Sequence, residues 1–205
     1  MMIDFLEQKK GCTPACKQEN SKERHGETMS KGKSTGRKDL LRSELESSRL
    51  AFHTLLDSLS DADLKKKSHN AAWTNKHIVV HMAMGFFVLP SLILIALLFG
   101  RLPKPLSKLF ALLLNVTTIP FNWINALGPH IGGTVFTRTS LSKTFDWFHA
   151  RIVQLLHVIP EEDLKRGMYY PTKWDSFTFK DYMTLEDIFR IPTLHFTFHL
   201  EQIAR

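Results

Sequence analysis

At 205 residues, with 43% of them hydrophobic, the chain is long enough for one globular domain with a sizeable core. It carries 27 Lys and Arg against 20 Asp and Glu, a formal charge of +7, which raises nucleic acid or a lipid surface as an anionic partner. No aromatic residues interleave with the cations of "KQENSKERHGETMSKGKSTGRK", so a base-stacking surface is not indicated and no nucleic-acid partner is expected.

Residues 1–36 are expected to form a disordered basic tail, because they are Lys- and Ser-rich and poor in large apolar side chains. "MMIDFLEQKKG" has no apolar core of the length a signal peptide needs, and Met29 is a second point at which the ordered protein could begin. Cys12 and Cys16, with no Cys or His partners nearby, give neither a disulfide framework nor a zinc ribbon. Reduced thiols in a cytoplasmic protein are the expectation.

The folded domain is expected over residues 37–205. In "DLLRSELESSRLAFHTLLDSL", Leu40, Leu41, Leu45, Leu50, Phe52, Leu55, Leu56 and Leu59 recur at three- and four-residue steps, which predicts an amphipathic helix ending near Ser60. His53 lies on or near its apolar side and is read as a core or boundary residue. A second helix is predicted from Thr74 through His77 and His81. It enters an uncharged run, Met82 to Gly100, of the length that spans a bilayer and followed by Arg101, Lys104 and Lys108. Pro90 interrupts that run. Three readings stay open for residues 82–100: a membrane span or anchor, a peripheral membrane contact, and a helix buried in the bundle.

"NWINALGPHIGGTVFTRTS" reads as a loop, punctuated by Gly128, Pro129, Gly132 and Gly133. A third helix is predicted from about Ser140, and "MYYPTKWDSFTF" as an aromatic connection without helical period. The last helix opens at Thr184, with Glu186 and Asp187 at its positive end, and Pro192 should kink it or divide it. Four helical segments with almost no strand signal give an all-α fold, an up-down-type four-helix bundle with a long apolar insertion between helices two and three.

Two H-x3-H pairs stand out, His77/His81 and His195/His199. Residues at i and i+4 lie one turn apart on one helix face, so both rings of a pair can aim at one point. Imidazole suits Zn, Ni, Fe and Cu, and a third ligand from a facing helix would complete a site with open positions. His81 and His77 both stand on such a helix. The alternative is that His195 belongs to the core and His199 to the surface. P-loop, G-x-G-x-x-G and G-x-S-x-G signatures are absent, which removes nucleotide-dependent and serine-hydrolase chemistry.

"WTNKHIVVHM", with a Trp eight residues before a His, and "TLEDIFRIPTLHFTFHLEQI", closing on H-x3-H-x3-I, resemble the second and last helices of the DinB/YfiT-like family. The resemblance covers about residues 40–204. It implies a four-helix bundle binding a divalent metal (Zn, Ni or Fe) through three histidines, which fall at His81, His195 and His199. His77 departs from the family pattern, and exposure is expected for it, beside second-shell or fourth-ligand roles. Family members include metal-dependent hydrolases and thiol-dependent S-transferases, so the resemblance implies a metal-dependent enzyme acting on a small apolar substrate, with a low-molecular-weight thiol as a further candidate cofactor. Glu201 points away from the face of His199, and nothing positions His53 or His149 as proton carriers. A non-catalytic bundle clipped by metal and a membrane-anchored protein remain as alternatives, and a homodimer stays open.

Overall fold

The computed structural model describes residues 36–205 except 71, 172 and 175–178. The expectations for the basic tail, its two cysteines and Met29 fall outside these residues.

The first amphipathic stripe forms α1 (Arg37–Ser58), which buries Leu41, Leu45, Phe52, Leu55 and Leu56, whereas Leu40 and Leu50, expected on the same stripe, stand exposed on the other side. Ser60 then caps the short α2 (Asp61–Lys65), its hydroxyl accepting from the Asp63 N–H while the Asp63 carboxylate accepts from the Ser60 N–H. The third helix, α3 (Asn75–Phe99), begins after Thr74 as the sequence predicts and runs unbroken through Pro90. After a turn at residues 100–103 come α4 (Lys104–Leu114), one 3-10 turn (Asn115–Thr117) and α5 (Thr118–Val135). Thr137 and Ser140 form the cap of α6 (Arg138–Val158). Two three-residue strands, β1 (Gly167–Tyr169) and β2 (Tyr182–Thr184), pair antiparallel with Met168 opposite Met183. Segments this short carry no readable alternation, which is why the sequence gives no strand there. The chain closes with α7 (Leu185–Leu200), capped by Thr184 and Asp187.

Pro192 neither divides α7 nor ends it. Pro192 and its neighbour Ile191 are buried, so burial of the ring outweighs the one missing N–H donor.

The bundle consists of α1, α3, α6 and α7. Both α1 and α3 pack on α6 and on α7, which sets α1 and α3 across one diagonal. Cross-helix contacts give the directions. Arg49 and His53 of α1 meet Asp146 while Lys38 meets the His157 carbonyl, so α1 and α6 are antiparallel. Glu44 meets Arg190 and Ser48 meets Thr193, so α1 and α7 are parallel. Asn75 at the start of α3 binds Ala204 just beyond α7, so these two are antiparallel. The first and last bundle helices thus run one way and the middle two the other. Two parallel neighbours require a crossover about as long as themselves. That crossover is α4, which packs on β1, and α5, which returns along α3.

One stretch read as loop is helix instead. Gly128, Pro129, Gly132 and Gly133 all lie within α5. A Cβ on Gly128 would meet Met84 Cε at 2.4 Å, one on Gly132 would meet Val80 Cγ1 at 2.5 Å, and one on Gly133 would meet His77 Cδ2 at 2.8 Å. These glycines mark the close approach of α5 to α3, the small-residue packing by which two helix backbones come together. The core beneath is continuous, with Phe52 stacked on Phe145 at 4.0 Å and Phe86 on Phe145 at 4.5 Å.

Candidate metal centre

The two helices that carry the paired histidines are antiparallel neighbours, and this brings His81 of α3 against His195 and His199 of α7. The ring centroids are 4.8, 4.6 and 4.5 Å apart for the pairs 81–195, 81–199 and 195–199. One ring nitrogen from each falls within 4.8 Å of the other two. His81 and His199 are buried and His195 is half-buried as a residue, although its Nδ1 is buried as well.

The donor set fits a metal ion. His81 Nε2 and His195 Nε2 are 3.2 Å apart. Two imidazole nitrogens at about 2.05 Å from one tetrahedral ion would stand roughly 3.3 Å apart. Burial, followed by the proximity of His199, pushes the His81 imidazolium down to about 3. Burial, followed by the neighbouring His81 and His199, holds His195 well below its ordinary value. Both rings are therefore neutral at pH 7, with lone pairs available. His81 Nδ1 and His195 Nδ1 are buried without a protein partner, and the cluster as a whole contains no carboxylate. Three imidazoles turned on one another, two of them held neutral by burial, form a cluster of nitrogen donors without a counter-charge.

Neighbours that carry no signal in the local sequence hold the rings. Gln202 Oε1 lies 3.0 Å from His199 Nδ1. A proton on Nδ1 donated to that amide leaves the Nε2 lone pair for the cluster. The Gln202 carbonyl accepts from the His69 N–H, and the fully buried Asn75 clamps the next turn by donating to the Ala204 carbonyl at 2.6 Å. Gly85 stands one turn after His81 on α3. A Cβ there would lie 2.9 Å from His195 Nδ1, so the missing side chain makes room for the ring. Trp73 packs on His81 at 4.9 Å and Phe198 on His199 at 4.9 Å. The spacing H-x3-H-x2-Q and the pair His81/Gly85 at i,i+4 are the sequence traces of these roles, and neither is readable before the helices are paired.

The other histidines go elsewhere. His77 is half-buried, not exposed as expected; its Nδ1 accepts the Thr74 N–H at 3.2 Å and its ring sits 4.3 Å from His130 of α5. It therefore serves the start of α3. His53 Nε2 is 2.7 Å from Asp146, and His149 Nε2 is 3.7 Å from Glu46, both across the α1–α6 seam. Burial lowers the His149 pKa, with Glu46 opposing that shift. Two concavities, one beside Leu56, Val79 and Phe136 and one beside Arg42, Glu46 and His149, are not lined by any of the three clustered histidines.

A comparison with curated proteins returned no match. Among solved structures, YfiT from Bacillus subtilis, described as "a probable metal-dependent hydrolase with an unusual four-helix bundle topology", superposes with a TM-score of 0.56 at 18% identity. The match covers 88% of this chain and 89% of that one, and at this identity it is a likeness of fold. The profile of the DinB superfamily matches residues 44–203, a span that takes in all of α3 and α7 together with the three clustered histidines. The chain belongs to the DinB superfamily.

Proposed function

We propose that this protein is a metal-dependent enzyme, of hydrolase type, that acts on a small apolar substrate through a divalent ion held by His81, His195 and His199. The observation that carries the reading is the convergence of three imidazoles, two of them held neutral by burial, with one ring nitrogen of each within 4.8 Å of the others. A divalent ion on three neutral ligands keeps its full positive charge, lowers the pKa of a water or thiol brought to it, and polarises a carbonyl. The residues of the chain have distinct parts in this. The three histidines bind, Gln202 sets the tautomer of His199, and Gly85 leaves space for the His195 ring. Trp73 and Phe198 give the neighbourhood an aromatic character that suits an apolar substrate. The description of YfiT as a probable hydrolase supports the reaction class by distant likeness.

A low-molecular-weight thiol is the other nucleophile such an ion can activate. The experiment that separates the two readings loads the purified chain with Zn, Ni or Fe and assays it on ester and amide panels, with and without added thiol. Metal-dependent, thiol-independent hydrolysis that disappears in His195→Ala supports the proposal, and turnover only with thiol moves it to S-transfer. Stoichiometric metal with no turnover on any panel replaces it with a second reading, a non-catalytic bundle in which metal clips α3 to α7. The observations on that side are the burial of His81 and His199 and the absence of all three histidines from the lining of both concavities.

A further inference from the structure

We propose that the outer face of the α4–α5 crossover docks on a lipid membrane bearing anionic headgroups. The crossover is anchored on its inner side, where Gly128, Gly132 and Gly133 press against Met84, Val80 and His77. Its outer side is apolar along its whole length. Leu106, Leu113, Val116, Ile119, Ile124 and Ile131 are 51–77% exposed and recur at helical spacing, with Trp123 beside them at 61%. From Lys104 to Val135 the segment has 32 residues, about 48 Å of helix. A connection that only had to return the chain to the start of α6 would carry polar residues on that side, and an apolar face this long marks a contact surface.

Charge identifies the occupant. Between Leu64 and Phe145 the sequence has nine Lys and Arg and not one Asp or Glu. Arg101, Lys104 and Lys108 are exposed where the crossover begins, and among the described residues none of them is ion-paired. Lys143 is exposed beyond its far end. Two copies of the chain meeting through this face would set cation against cation with no carboxylate to answer them. A leaflet with anionic headgroups answers both features, taking the leucines into the acyl boundary and the cations at the phosphate level. The contact lies in the plane of the interface and does not cross it. One side of α5 is packed on α3, and α3 itself is a bundle helix with Asn75, His81 and Phe86 buried.

The test is flotation of the full chain with phosphatidylcholine vesicles, with and without phosphatidylserine, for wild type, Val116→Glu/Ile119→Glu and Lys104→Glu/Lys108→Glu. Both positions of the first pair are strongly exposed, so circular dichroism and metal content should match wild type. Expected are binding to serine-containing vesicles, a loss of about tenfold or more in the first variant, and a smaller, salt-dependent loss in the second. Every variant keeps residues 1–35, so equal binding by wild type and Val116→Glu/Ile119→Glu would assign the binding to the basic tail and overturn the proposal. No binding by wild type would also overturn it; sedimentation mass then tells a face covered by a second copy from one that is monomeric.

Discussion

The molecule contains two groups of histidines, and they are built on opposite terms. On the α1–α6 seam, His53 meets Asp146 at 2.7 Å and His149 faces Glu46 at 3.7 Å, with Arg49 bridging both carboxylates. On the α3–α7 seam, His81, His195 and His199 converge on one another, with Gln202 as the amide beside His199 and no carboxylate in the cluster. The first group has an acid beside each imidazole, hydrogen-bonded to His53 and only approached by His149 Nε2. The second has the donor set of a cation site. The partner of a histidine thus tells more about its role than its depth does, because His149 and His81 are equally buried, at 7% and 8% exposure.

The sharpest way to break this contrast is substitution of the clustered rings. Alanine at His81, His195 or His199 should abolish stoichiometric metal, measured by mass spectrometry on protein purified without chelators. Alanine at His53 or His149 should leave the metal content unchanged. In wild type, chelation should lower the melting temperature, since an ion present at a hundred times its dissociation constant stabilises the folded state by about 2.7 kcal/mol.

Acid should act next. The His81 pKa of about 3 lies below its ordinary 6.5, so between these values the unfolded chain takes up a proton that the folded chain refuses. Stability of the metal-free protein should be full above pH 6.5 and fall as the pH drops through that window, by up to roughly 1.4 kcal/mol per pH unit for this ring alone. Urea unfolding at pH 7 and pH 5 measures it, and equal midpoints would show that His81 is not held neutral by burial.

Smaller effects belong to the supporting residues. Gly85→Ala puts a methyl 2.9 Å from His195 Nδ1, and Gln202→Ala removes the acceptor of His199. Each should weaken metal affinity by about 10- to 100-fold, read by competition with a chromogenic chelator. Smallest is Asp146→Asn. Its pair with His53 is 43% exposed on the acid side, so the stability change should stay within about 1 kcal/mol and the metal content should not move.

Much of this was legible in the sequence, for physical reasons that can be named. The His pairs at i,i+4 fix which rings share a helix face, and Thr184 with Asp187 marks the start of α7 because capping is local chemistry. The family resemblance chose His81 over His77, and the structure supplies the reason, since His77 is turned back to Thr74. The glycines of α5 were misread because a turn and a close helix crossing ask for the same residue, and only Val80 and Met84 on the opposing helix distinguish them. Gly85, Gln202 and Asn75 were invisible for a related reason. Gly85 faces His195 of another helix, and Asn75 reaches 129 residues along the chain to Ala204. Gln202, only three residues after His199, takes its meaning from the cluster that His199 joins.

That separation along the chain has a consequence for selectivity between folded and unfolded protein. His195 and His199 stay neighbours in any helical stretch, but His81 is 114 residues away from His195. Closing a random loop of that length costs roughly 4 kcal/mol in chain entropy, a cost already met once α3 and α7 are packed. An unfolded chain therefore offers an ion two ligands and the native chain offers three, so the third histidine makes metal capture a report on the completed fold.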